Sequence, residues 1–448
     1  MRIALALLVV AACTGKGKDK APPSGGAPGS GATVARAETI TPETPSLLRI
    51  GAPGASVHAE QLAGRDDGGT ILVTELFGKM ELGGRTIERE EHSVSTVIAV
   101  AADGKVRWAR PLAGHCHLLA TPHGTSTLVA GSCSAPIATE TGKLAPPKLD
   151  DHLHVFVAML DDAGAIAWSH YVGNAGTQVV YGAAVDAAGN AIVVGDFRGS
   201  IDFGTGLWKS PERDAFVVSY DPAGAPRWAK TYTRAEVQDV VAAGDELDIV
   251  GIFTEKTSIG PIALETPKGG RFFARLGADG APKAAFLVGT GASMTQRLVR
   301  ASTGTLFVSA DTLEGVKLFA ITDQAKELST IKGKHFCLNT DRYLAIDARD
   351  TLWLETCVPD KVDLGDGPIT GDAANSDVVV ARFDATGKCL GHVVLASALL
   401  DTPGGLAVAK DGSVLAAWFS QLGPPDRSPH DWLITEVYYS VAIQKIVL

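Results

Sequence analysis

Of the eleven histidines in the 448-residue chain, four lie close together: His115, His117, His152 and His154. Each pair is spaced by two, which puts its members on one face of a strand. Imidazole ligates zinc, copper and nickel, and it titrates near neutral pH. These four are the candidates for a metal or acid–base site; the other reading is a set of solvated histidines at the edge of a fold. Other patterns point to less chemistry. "AADG", "DPAG" and "GADG" invite calcium, but none continues into a twelve-residue EF-hand loop, and Asp and Gly are what tight turns require. "GTSTL" lacks the G-x-S-x-G form of a nucleophile elbow. "GTGAS" (289–293) lacks the Gly-Lys-Ser/Thr ending of a P-loop. No catalytic residue and no cofactor follow from these patterns.

The elements that position the histidines read as strands. In "AVDAAGNAIVVGDF" (184–197) an alternating apolar run breaks at Gly189-Asn190 and resumes. The run after the break, "NAIVVG" (190–195), has six echoes: "TILVTE" (70–75), "STLVAG" (126–131), "ELDIVG" (246–251), "TLFVSA" (305–310), "TLWLET" (351–356) and "SVLAAW" (413–418). A further run follows each, from "STVIAV" (95–100) to "WLITEV" (432–437), and then another, from "DGKVRWARPL" (103–112) to "SVAIQKIVL" (440–448). A fourth family precedes the break, as in "VVYGAAVD" (179–186). β-Branched residues at period two, with Gly, Asp and Asn at the breaks, specify strands. No helical periodicity is sustained.

Four short strands per unit, seven times over, predict an all-β fold: a single seven-bladed β-propeller with four antiparallel strands per blade. The alternative is a tandem of β-sandwiches, but the period is regular and no linkers separate the copies. One blade leaves both faces bare; neighbours around an axis cover them. The blades fall at about 54–112, 113–172, 173–232, 233–288, 289–331, 332–394 and 395–448. Long loops share one rim, at 78–93, 134–152, 196–213, 254–270 and 357–376. Such loops are where rigid scaffolds carry binding.

The cysteines extend this reading. Cys116 opens the innermost strand of the second unit and Cys133 closes the next, with their midpoint in the turn. Cys337 and Cys357 hold the same places in the sixth unit. Residues facing each other in an antiparallel hairpin have Cα atoms about 4.5–5.5 Å apart, within disulfide reach. Both bonds are expected, and Cys389 is left unpaired in an outer strand.

The stretch "WSHYVGNAGTQVVYGAAVDAAGNAIVVGDFRGSIDFG" (168–204) resembles the bacterial β-propeller repeats called SBBP repeats. That resemblance implies a propeller and nothing catalytic. Quinoprotein-type repeats share the Gly-x-x-x-Trp spacing of Gly104/Trp108, Gly164/Trp168 and Gly224/Trp228. No cofactor set accompanies it, so these tryptophans are expected to pack one blade on the next.

The N-terminal "MRIALALLVVAAC" has Arg2 and an apolar run too short to span a bilayer. Its "VAAC" resembles the lipobox of bacterial lipoproteins. Residues 1–12 are then a signal peptide and Cys13 is the lipidated N-terminus, anchored by its acyl chains. Residues 13–45 read as a disordered tether. Residue 14 is Thr rather than Asp, which by the same resemblance favours the outer membrane. The formal charge of −10 disfavours nucleic acid. The expected protein is an exported, lipid-anchored monomer of the cell envelope. It is expected to act as a non-enzymatic scaffold whose loop rim binds a protein or glycan. Two alternatives are a propeller hydrolase or lyase with a histidine or metal site in the second blade, and an outer-membrane assembly factor.

Overall fold

The computed structural model describes residues 38–446 except 41–45, 53–54, 114–115, 147–151, 292–295, 313–314, 334–342, 359–360, 366, 372–375, 398–400, 410–411 and 423–437. The signal peptide, Cys13, most of the tether, His115 and Cys337 therefore lie outside the described residues. All regular structure among the described residues is β-strand, and no helix there is long and apolar enough to cross a membrane.

Seven antiparallel sheets stand in a ring, each built from four strands running from the axis outward. Blade 3 shows the pattern: Gln178–Val185 innermost, then Ala191–Asp202, Leu207–Tyr220 and Pro226–Tyr232. Residues in the middle strands meet neighbours on both faces. His154–Leu160 of blade 2 is accordingly buried at every position, whereas Gln178–Val185 alternates. Among the described residues seven apolar clusters fill the seven gaps between blades, including the gap between the last blade and the first. Burial on both faces is what makes the ring stable where a lone blade would not be.

The joints repeat. Trp108, Trp168 and Trp228 lie on the outer strands of blades 1, 2 and 3. Each donates its indole N–H to a turn carbonyl of the next blade: Asp162 at 2.8 Å, Pro222 at 3.0 Å and Ala278 at 2.9 Å. The same rings cover Gly164, Gly224 and Gly280, where a Cβ would come within 2.7–2.8 Å. These glycines also adopt φ values of 73–88°, so close approach and backbone both demand Gly. The tryptophans join blades, as expected.

Three features depart from the sequence expectation. The seventh blade is completed from the other end of the chain. Its strands are Asp401–Val408, Val414–Leu422 and Tyr438–Ile446, and the outermost is Leu48–Ile50. The run "SVAIQKIVL", expected as the outer strand, thus supplies the third, and 432–437 lies outside the described residues. Sequence at the two ends closes the ring, with Leu48–Ile50 covering the edge of Tyr438–Ile446. Secondly, Glu38–Ile40, inside the segment read as tether, adds a parallel strand to the outer edge of blade 6 at Val393–Leu395. An unpaired edge accepts any short extended segment.

Thirdly, the rim segments expected as loops are mostly paired strands. The second and third strands of blades 1 and 3 continue as hairpins, and separate hairpins occur at Ile137–Leu144, Lys256–Glu265 and Lys361–Thr370. Each inserts apolar residues into the gap shared with the preceding blade: Met80, Leu82 and Ile87; Ile137; Ile201 and Phe203; Ile259 and Leu264; Val362 and Leu364. These are clamps between blades, held by burial of apolar surface.

Candidate functional site

The inner strands expose one backbone edge to the central channel, so their amide groups need partners beyond the sheet. Side chains of the preceding blade supply several. Gln61 Oε1 accepts from Ala120 N (2.6 Å), Ser132 Oγ from Val180 N (2.8 Å) and Asp239 Oδ2 from Leu298 N (2.8 Å). Bulges at Glu60, Tyr181 and Gln238 interrupt the inner strands of blades 1, 3 and 4. A bulged residue leaves the ladder, and its carbonyl finds a donor across the channel. The Tyr343 hydroxyl donates to Glu60 O, and Arg297 Nη1 to Gln238 O (3.3 Å) and Tyr181 O (3.5 Å).

Two of these bulges, at Glu60 and Tyr181, each set up a constellation of ionisable groups beside the channel. At the junction of blades 1 and 2, donor atoms of Glu60, Glu75 and His117 all lie within 4.8 Å of one another. Glu75 comes from the second strand, opposite His58 in register. Burial, reinforced by the Glu60 carboxylate, pushes its pKa up to about 7. Ser93 Oγ donates to Glu75 Oε1 at 3.4 Å, and Leu118 N donates to Glu60 Oε2 at 3.4 Å. The imidazole Nδ1 of His117 is 3.7 Å from Glu60 Oε1.

At the junction of blades 3 and 4, Asp196 is 2% exposed, and the Tyr181 hydroxyl lies beside it. Burial pushes the Asp196 pKa up to about 7; Arg213 opposes that shift and Glu236 adds to it. Arg213 Nε is 3.6 Å from Asp196 Oδ1, and Arg213 Nη1 is 2.5 Å from Glu236 Oε1. Among the described residues, Asp196 Oδ2 is buried with no hydrogen-bond partner. A carboxyl that keeps its proton to neutral pH beside a phenol can act as hydrogen-bond donor or as general acid.

Of the four candidate histidines, His115 lies outside the described residues, and the other three do not gather at one point. His117 belongs to the channel, against the two glutamates of blade 1. His152 Nδ1 lies 3.2 Å from Thr177 Oγ1, and the buried His154 Nδ1 lies 2.8 Å from Gln178 Oε1. Both thus reach the segment entering blade 3. His117 is on the innermost strand and His154 on the third, two inter-strand steps or about 10 Å away. No cluster of three donor side chains among the described residues includes two of these histidines.

Cys116 and Cys133 form a disulfide in direct register, with Cα atoms 4.2 Å apart. Cys357 is also disulfide-bonded. The buried Cys389 keeps its thiol, which donates to Gly391 O at 3.8 Å.

Glu60, Glu75, Tyr181, Asp196, Arg213 and Glu236 were not singled out by sequence. A signal exists for two of them: Glu75 and Asp196 are acids inside apolar runs, "TILVTEL" and "AIVVGDF". An acid in a strand buried on both faces needs a reason to be there.

The chain matches no protein-family model and no curated protein. Solved structures with similar folds include hydrazine synthase from Kuenenia stuttgartiensis, at 13% identity and TM-score 0.45, covering 80% of this chain and 92% of that one. A protein of unknown function from Dyadobacter fermentans aligns at 9% identity and TM-score 0.42, covering 90% and 99%. An ulvan lyase of polysaccharide lyase family PL25 aligns at 8% identity and TM-score 0.46, covering 83% and 93%. None of these likenesses carries a substrate or partner over to this chain.

Proposed function

We propose that the protein is an exported, monomeric lipoprotein, acylated at Cys13 and held at the outer membrane, whose SBBP-like propeller binds a partner at one end of its channel. The observation that supports binding there is the gathering of Glu60, Glu75, His117, Tyr181, Asp196 and Glu236 on the first and second strands of blades 1 to 4. Most of the rim around them is occupied by clamps, which leaves the channel mouth as the polar, chemically distinct surface. Its carboxyl groups favour a partner rich in N–H and O–H donors, foremost a basic segment of another envelope protein. Binding to peptide and glycan arrays, compared between the parent and an Asp196→Asn/Glu236→Gln variant, tests this. Loss of a basic-peptide signal in the variant supports the reading, glycan binding replaces the partner class, and silence on both arrays removes it. The anchor is tested separately, by acyl-chain labelling that should vanish in Cys13→Ala.

A second reading is favoured by the Tyr181–Asp196 pair. A phenol and a carboxyl with pKa about 7 are the acid–base pair a hydrolase or lyase needs. Screening polysaccharides and esters with the parent and Asp196→Asn decides it; turnover unaffected by the substitution excludes this pair.

A further inference from the structure

The two junctions occupy the same positions of the repeat. Glu60 and Tyr181 are both bulge residues, and Glu75 and Asp196 each face the inner-strand residue two before the bulge. Gly131 and Gly251 share a place in blades 2 and 4, pressed on the carbonyls of His117 and Glu236 respectively. His117 therefore corresponds to Glu236. On the third strands, Ser95 pairs with Glu75 and Ala215 with Asp196, so Ser93 corresponds to Arg213. Between blades 3 and 4 the guanidinium of Arg213 touches both carboxyl groups. Between blades 1 and 2 a serine stands in its place. Among the described residues no Lys or Arg is within ion-pair distance of Glu60 or Glu75.

We propose that Glu60, Glu75 and His117 bind one divalent transition-metal ion of the zinc class, which supplies the positive charge that Arg213 supplies at the other junction. Two carboxylates and one imidazole suit zinc and its first-row neighbours better than calcium, which takes six or more oxygen ligands. Three ligands around one ion at roughly 2.0–2.2 Å are about 3–4 Å apart, close to the present spacing of up to 4.8 Å. Small side-chain rotations bring them in. Neighbouring contacts hold two of the ligands: Ser93 bonds Glu75, and Leu118 N bonds Glu60. The Cys116–Cys133 bond immediately precedes His117. Three protein ligands leave a position for water or for a group of the partner. The site needs no organic ligand, so its failure and that of the binding reading are distinguishable.

The test is titration of the chelator-stripped protein with Zn²⁺ alone, by calorimetry or against a zinc-sensitive dye, with Mg²⁺ and Ca²⁺ in parallel. One equivalent of zinc is expected, with neither control ion competing. Glu75→Gln and His117→Ala should each weaken binding at least about tenfold, and His152→Ala should not change it. Ser93→Arg rebuilds the arrangement of the other junction and should abolish binding. Circular dichroism establishes that each variant is folded, and Glu60→Gln replaces Ser93→Arg if that variant is not. Absence of a one-equivalent site, or undiminished affinity in a folded Glu75→Gln/His117→Ala variant, overturns the proposal.

Discussion

Between blades 1 and 2 a bulged glutamate, a second-strand glutamate and the histidine of the next blade meet in the channel. Between blades 3 and 4 the same places hold Tyr181, Asp196 and Glu236, with Arg213 threaded among them. The backbone repeats and the chemistry does not. A propeller copies register: a bulge always presents one residue to the channel, and the second strand always places one side chain beside it. What differs is how the buried carboxyl is neutralised. Asp196 has a phenol and a guanidinium within the chain. Glu75 has a serine, a second carboxylate and an imidazole, so its compensation must come from a proton or an added ion.

The largest expected effect concerns Asp196. Its carboxyl keeps its proton to about pH 7 when folded, against about pH 4 when unfolded. Between those values the folded chain binds more protons, so stability falls as pH rises from about 4 to about 7. At 1.36 kcal/mol per unit the penalty reaches as much as about 4 kcal/mol, and below about pH 4 it is absent. Urea unfolding should show Asp196→Asn gaining on the parent at about pH 8 relative to about pH 4.5. An equal difference at both pH values would break the description of this junction as proton-holding.

Next in size is the staple beside His117. The Cys116–Cys133 bond closes a hairpin with a sequence separation of 17, and its removal in Cys116→Ala/Cys133→Ala should cost about 3 kcal/mol. In blade 4, Glu236 pairs with Ile252 and no such bond exists, so the two junctions differ in rigidity as well as charge. A loss below about 1 kcal/mol in urea unfolding would mean that the blade interfaces alone hold the hairpin.

A smaller effect follows at Arg213. Its side chain is 55% exposed, and Asp196 can remain protonated without it. Arg213→Ala should therefore cost only about 1 kcal/mol at pH 7. It should also shift the Asp196 titration upward, measurable from the pH dependence of unfolding. The smallest effect is at the corresponding Ser93. Its single 3.4 Å bond to Glu75 predicts that Ser93→Ala changes stability by less than about 1 kcal/mol. A larger loss at Ser93 than at Arg213 would reverse the comparison.

Much of the architecture was legible because its determinants are local and recur. Period-two alternation and Gly-Asn or Asp-Gly turns mark strands wherever they occur. The Gly-x-x-x-Trp spacing recurs and pointed to a joint between blades, although each ring seats on the glycine of the next blade, Trp108 on Gly164 and Trp168 on Gly224, rather than on the one four residues before it. The Cys116–Cys133 bond followed from counting residues to the turn. The clamps were misread as loops because their apolar residues, such as Ile201 and Phe203 in "GSIDFGTG", come in short runs among glycines and charges. Only the neighbouring blade makes them a core. Spacing by two likewise shows which residues share a strand face but not which blade that face meets: His117 lies beside Glu60 and Glu75 of blade 1, and His152 and His154 reach Thr177 and Gln178 at the entry to blade 3.

The sequence by itself determined most of the four-strand pattern, the number and order of the blades and the sites of the tight turns, because these rest on residues a few positions apart. The tertiary structure decided how the ring closes, since Leu48–Ile50 completes the sheet of Tyr438–Ile446 across nearly the whole chain. It also decided which ionisable groups meet. A bulge at Glu60 or Tyr181 is one extra residue with no spacing of its own, and its neighbours come from other strands and the next blade. Packing around a common axis brings those groups together, and local periodicity does not record it.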